Sequence, residues 1–270
     1  MDLAALVTAR ERLLEAATGY FAREPGVAAV YLGGSLPAGT ADAYSDIDLR
    51  VAVEPDRHRD FVRRRLEIPR LWDGFLFNEW VEGAIHCVSH FRPFLKIDIF
   101  YLDKSTLAPS PWLGLPIAIL HDPEGIVGDV VARSRGLGFA PVEDELSRSV
   151  SKGIAALHEA YRRIRRGELI YSASLIDELR YHMALADDWI HGRTPPSFAL
   201  SRFERRASAA ALGALAASYV SIDDASRLDG VLRVLGECYR AQVVALHERF
   251  RLDRERARDL EAIDIVLREL

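Results

Sequence analysis

Cysteine is nearly missing from this 270-residue chain: Cys87 and Cys238 are the only two, and they lie far apart, which points to neither a disulfide framework nor a thiolate zinc site. Lysine is almost as scarce, with Lys96, Lys104 and Lys152 set against abundant arginine. No apolar run approaches the roughly 20 residues that a membrane helix requires. The opening MDLAALVTARERLLEAATGYFA carries acids and arginines at helical spacing in place of a secretory pattern, so no membrane contact and a cytoplasmic address are expected. At a net charge of −5 the chain also lacks the clustered cations that grip a phosphate backbone. Nucleic acid is therefore not an expected partner, and a cationic or neutral one fits better. Fixed-period repeats and low-complexity tracts are absent too.

What remains is a globular composition, 49% hydrophobic and 28% charged, long enough for two modest domains. Apolar residues at three- and four-residue steps predict a helix over 3–21. VAAVYLGG and DIDLRVAV read as strands on either side of a glycine turn, and FLFNEWV, AIHCVSHF and FLKIDIFYL as three more, for a mixed sheet of about five. The arginine-rich stretch 56–66 reads as a solvated helix face. From about residue 141 the period becomes helical, with helices expected over 146–164, from 175 to before GRTPPS, in ASAAALGALAASYV, over 228–246 and over 253–269. Ser221 and Asp224 have the form of a capping box ahead of the fourth. An α/β half over 1–137 is thus followed by an all-helical half over 141–270.

The stretch YLGGSLPAGTADAYSDIDLRVAV, residues 31–53, concentrates the chemistry. Strand side chains alternate, so Asp46 and Asp48 share one face while Ile47 and Leu49 take the other. Two neighbouring carboxylates raise each other's pKa, and burial raises both further; a divalent cation such as Mg²⁺, which accepts one or two carboxylates plus substrate phosphates, resolves the conflict. Gly33 and Gly34 permit close backbone approach, and Ser35 adds a hydroxyl at the start of an expected short helical segment whose free amides suit phosphate oxygens. A third acid is then required nearby, and Asp98 is the lone carboxylate in FLKIDIFYL, on the same face as Lys96 and Phe100. Its competing reading is a salt bridge to Lys96 or an arginine.

GGSLPAGTADAYSDIDL together with KIDIF resembles the nucleotidyltransferase superfamily of DNA polymerase β, whose hallmark is G-S, then D-x-D, then a third aspartate. The helical second half looks like the small-molecule branch, the aminoglycoside and lincosamide nucleotidyltransferases. The resemblance implies an α+β fold, a mixed sheet with flanking helices followed by a helical bundle. It implies transfer of AMP or another nucleoside monophosphate from ATP or another triphosphate to a hydroxyl, with release of pyrophosphate. Carried over, Gly34 and Ser35 hold the phosphates, and Asp46 and Asp48 bind Mg²⁺. Asp98 binds a second metal or takes the acceptor's proton, and Lys152 is a candidate for the triphosphate. The expected acceptor is a small molecule, with an aminoglycoside or lincosamide antibiotic as the suggested class, and a homodimer is left open. In LIDELRYHMALADDWIHG, Asp177, Glu178, Asp187 and Asp188 are offered for a drug's ammonium groups, against the reading that they solvate a helix face. Arg240 and His247 resemble the R-x₆-H spacing of helical ribonuclease toxins, against coincidence in an arginine-rich chain. The alternative function is an antitoxin-like or regulatory nucleotidyltransferase that modifies or binds a protein.

Overall fold

Helix α1 (Leu3–Phe21) starts where the Asp2 carboxylate accepts from the Ala4 amide at 2.9 Å, and it buries Leu6, Leu13, Ala17 and Phe21 along one stripe. In the computed structural model, which describes residues 2–194 and 198–270, that stripe packs on a six-stranded sheet. The strands are β1 (Val27–Gly33), β2 (Ile47–Val53), β3 (Phe75–Glu79), β4 (His86–Phe91), β5 (Leu95–Asp103) and β6 (Ala118–His121), in the order β3-β4-β5-β2-β1-β6. Every neighbouring pair is antiparallel except β2 and β5, which run parallel at the centre. β5 shows why the face is decided by sequence: Leu95, Ile97, Ile99 and Tyr101 are buried in alternation, while Lys96, Asp98 and Phe100 turn to the other face. The buried face is covered by α1 and by α2 (Pro55–Arg64), the arginine-rich stretch read as a solvated helix, which buries only Phe61. Part of the opposite face is covered by α3 (Ile126–Ser134), whose Val127 packs with Ala29, Tyr31 and Ala52.

The sheet has one strand more than expected, and α3 is also additional. β6 is four residues long with no apolar alternation, and α3 is only nine residues long and contains Gly128, so neither produces a period strong enough to read.

The chain divides into two units, Met1–Gly138 and Phe139–Leu270. The second is helical: α4 (Glu143–Arg165), α5 (Leu169–Ile190), α6 (Ala209–Ala217), α7 (Ala225–Arg249) and α8 (Arg256–Glu269) surround a core that includes Leu157, Leu179, Met183, Leu232, Leu235, Val243 and Ile263. Close packing of α4 on α7 depends on Gly153, where a Cβ would lie 2.2 Å from the hydroxyl of buried Tyr239. That hydroxyl donates toward the Ser149 and Val150 carbonyls at 3.3 Å. Helix α5 begins six residues before the expected 175. The capping box at Ser221 does not form. Asp224 is itself the cap of α7, accepting from the Ser226 amide at 2.8 Å, because a short carboxylate reaches the amide two residues on more directly than it reaches back. Together the sheet and the bundle make the α+β architecture that the sequence led us to expect. Among the described residues no helix is long and apolar enough to cross a membrane.

Candidate active site

β1 ends at Gly33, the register partner of Asp48, and the chain turns at Gly34 with φ +73°, a left-handed conformation that favours glycine. A Cβ at Gly34 would lie 2.0 Å from Oδ2 of Asp48, so glycine here sets both the turn and the proximity of backbone to carboxylate. Beyond Ser35 the chain forms successive turns, closed by Gly39 N–H to the Leu36 carbonyl at 3.2 Å and Thr40 N–H to the Ser35 carbonyl at 3.1 Å. The short helix expected there is thus replaced by turns, which Pro37 and Gly39 favour. Gly34→Ala is expected to cost about 1–2 kcal/mol from the left-handed backbone alone and to displace the Asp48 carboxylate. Calorimetry beside a pyrophosphate-release assay should show activity falling further than stability explains.

The loop returns to β2 through a self-bonded turn: the Asp42 carboxylate accepts from the Tyr44 amide at 3.0 Å, and Ser45 Oγ accepts from the Asp42 amide at 2.9 Å. Arg10 of α1, 7% exposed, donates to the carbonyls of Asp42 at 2.6 Å and Ser45 at 3.1 Å and so anchors the backbone just ahead of Asp46. Sequence reasoning missed Arg10. Its signal is a cation on the apolar stripe of α1, where a core residue is expected.

Asp48 and Asp98 are direct register partners on the parallel pair β2 and β5, one strand apart on the same face. Asp46 stands one residue before β2 and is drawn to the same place by Lys96, whose Nζ lies 2.7 Å from Asp46 Oδ2 and 3.3 Å from both oxygens of Asp98. The ion pair that competes with a functional reading of Asp98 is therefore present, and it bridges to Asp46. Two carboxylates share one ammonium, and Asp48 feels its charge without contact. Burial, followed by the charge of Asp46, raises the pKa of Asp48 above the usual carboxylate range, with Arg50 and Lys96 offsetting part of the rise. Asp98 is also raised, first by burial; Lys96 opposes this, and Asp46 and Asp48 add to it. Burial would lower Lys96, but its hydrogen bond to Asp46 and the charges of Asp98 and Asp46 outweigh that and raise it.

Among the described residues no three His, Cys, Asp or Glu side chains form a ready-made metal cage. The donor set nevertheless suits a hard cation. Oγ of Ser35 is buried with no hydrogen-bond partner, Oδ1 of Asp98 is buried with only the Lys96 ion pair, and the carboxylates repel one another.

The other singled-out residues belong to the helical unit. Lys152 is exposed on α4. Burial, and then the Lys152 charge, push His182 down to about 4, and its Nδ1 lies 2.8 Å from Ser149 Oγ. Asp187 and Asp188, offered for ammonium groups or for solvation, serve neither purpose: they are 2% and 0% exposed and spend their oxygens internally. Asp187 accepts from Arg193 Nη2 at 2.5 Å and Ser208 Oγ at 2.5 Å, and Asp188 from Arg193 Nε at 2.9 Å and Arg206 Nη2 at 3.0 Å. Asp177 pairs with Arg180 at 2.5 Å, and Glu178 is half-buried. Arg240 and His247 are likewise taken up separately, by Asp264 at 2.6 Å and by Asp259 at 2.9 Å.

Residues 15–99 match the family model described as a nucleotidyltransferase domain, a span holding the glycine–serine turn and all three aspartates. Among curated proteins no match is found. A nucleotidyltransferase-like protein from Exiguobacterium sibiricum 255-15 is 15% identical, with 95% of this chain and 89% of that chain covered and a TM-score of 0.47. An aminoglycoside 6-adenyltransferase from Bacillus subtilis is 10% identical, with 95% and 96% covered and a TM-score of 0.44. A CCA-adding enzyme is 15% identical, with 100% and 73% covered and a TM-score of 0.36. Likeness this distant says nothing of a substrate.

Proposed function

We propose that this chain, a nucleotidyltransferase by the domain it carries, transfers a nucleoside monophosphate, AMP when ATP is the donor, to a hydroxyl of a small molecule. The observation that carries the reading is the register pairing of Asp48 with Asp98 beside a turn whose Ser35 hydroxyl is buried and unpartnered. Asp46, Asp48 and Asp98 are the residues that would hold Mg²⁺, which when bound supplies positive charge against the triphosphate and the departing pyrophosphate. The Gly34 backbone and the Ser35 hydroxyl orient the phosphates. Asp98 takes the proton of the acceptor hydroxyl as its oxygen bonds to the α-phosphorus and the α–β bridging bond breaks, its electron pair leaving with pyrophosphate. Positioning and charge placement supply most of the acceleration in such a displacement.

An antibiotic acceptor, an aminoglycoside or a lincosamide, is the finer reading, and the net charge of −5 supports a cationic one. The acids of α5 lend it no help, since Asp187 and Asp188 are committed to arginines. Incubation with Mg²⁺, each of the four nucleoside triphosphates and a panel of hydroxylated drugs is expected to release pyrophosphate for at least one pairing. Silence across the matrix, with no nucleotide appearing on any protein by mass spectrometry, would overturn the reading. Label on a protein in place of a drug would change the acceptor and keep the chemistry.

A further inference from the structure

Arg50 lies two residues beyond Asp48 on the same face of β2, half-buried. Its Nη1 donates to the Asp48 carbonyl at 2.9 Å, and its Cζ sits 5.1 Å from the ring centroid of Phe100, its register partner on β5. The guanidinium also lies over β1: a Cβ on Gly33 would come within 2.9 Å of Nη1 and 3.0 Å of Cζ. Gly33, unlike Gly34, does not adopt a positive φ, so what its missing side chain provides is room for this guanidinium. The Arg50 plane is thereby held between an aromatic ring and a bare stretch of backbone. Among the described residues no carboxylate lies within ion-pair distance of it, and most of its five N–H donors are uncommitted. It packs on Gly33, the residue before the Gly34–Ser35 turn, where the Ser35 hydroxyl is buried without a partner.

We propose that Arg50 is a phosphate-binding residue of this enzyme, presenting its guanidinium fork to the phosphate tail of the donor nucleotide and to the pyrophosphate that leaves. The assignment rests on the nucleotidyl-transfer reading above and adds a named cation within the domain that holds the acids. A guanidinium offers paired donors in a geometry that matches phosphate oxygens, and one already immobilised by Phe100 and Gly33 loses little freedom on binding. As the α–β bond breaks, charge gathers on the departing oxygens, where a fixed cation is most effective. A phosphate or carboxylate on the acceptor has the same chemistry, and the experiment separates the two sources.

Calorimetric titration of the full chain with magnesium pyrophosphate provides the test. Arg50→Met is expected to weaken binding by at least about tenfold, the scale of a lost charge-assisted pair of hydrogen bonds. Arg50→Lys should restore only part, because an ammonium cannot reproduce the fork. Gly33→Ala should weaken binding in the same direction by pushing the guanidinium aside. The double variant should bind no more weakly than Arg50→Met alone, since the group that Gly33 accommodates is then gone. Unchanged pyrophosphate affinity in Arg50→Met, with only a lower Tm, would overturn the assignment and leave the residue structural. Unchanged pyrophosphate affinity with a raised KM for the acceptor found in the drug panel would overturn it in favour of an acceptor anion. If the unaltered protein binds neither magnesium ATP nor magnesium pyrophosphate, the nucleotidyl-transfer reading falls and takes this one with it. Loss confined to the variants leaves that reading standing.

Discussion

Asp48→Asn is expected to lower kcat for pyrophosphate release by about 10²–10³-fold or more, the scale of removing one preorganised charge from a transition state, without lowering Tm. The two effects have opposite physical origins. Asp48 is crowded by burial and by Asp46, so its carboxyl pKa in the folded chain lies above the ordinary value. A carboxyl raised in this way binds its proton more tightly when folded. The stability gained from that proton is present at acid pH and lost as pH rises through the folded pKa. At neutral pH the ionised Asp48 therefore works against folding of the metal-free protein, and a neutral isostere relieves the strain. The metal-free Tm should stay level or rise, while the Tm gain on adding Mg²⁺ to the unaltered protein shrinks in the variant. A variant that lost activity by misfolding would show the reverse. Retained turnover would overturn the proposed metal-holding role of Asp48, and with it the case for charge placement at this turn.

The parts of this site that could be read in the sequence are those in which a local period or a short motif does the work. LKIDIFYL alternates apolar and polar residues so regularly that the face of Asp98 follows from counting, and the buried Leu95, Ile97, Ile99 and Tyr101 agree. The G-S turn and the D-x-D run declare themselves by residue type. What could not be read depends on which strands become neighbours. Nothing near residue 48 says that β5 lies alongside in parallel, 50 positions later in register, yet that pairing alone sets Asp48 against Asp98 and Arg50 against Phe100. Lys96 was legible as a partner for Asp98, two residues away; its shorter contact with Asp46 required the assembled sheet. Arg10 and Gly33 act by filling or leaving space next to segments distant in the chain, and such roles leave no periodic trace.

The acids of α5 show the opposite failure, a run with an obvious chemical appearance and a structural use, and they carry the second large prediction. Asp188→Ala is expected to destabilise the helical unit by about 3–5 kcal/mol, the usual consequence of removing one partner from a buried ion pair. Asp188 is fully buried near the C-terminal end of α5, where the helix dipole disfavours an anion, and it persists there because Arg193 and Arg206 both reach it. Without the carboxylate, two guanidinium groups lose a shared counter-charge, and the Arg193–Asp187 contact at 2.5 Å is left to hold one of them. Asp223, paired with Arg227 at 3.3 Å but 69% exposed, is the matched control; its replacement by alanine should shift stability by no more than about 0.5 kcal/mol. Urea unfolding followed by far-ultraviolet circular dichroism distinguishes the two. A ligand-binding role for the α5 acids demands a different pattern, in which Asp188→Ala unfolds no more readily than Asp223→Ala while the acceptor's KM rises. A lowered unfolding midpoint with an unaltered KM instead places the aspartate among the residues that keep the bundle folded.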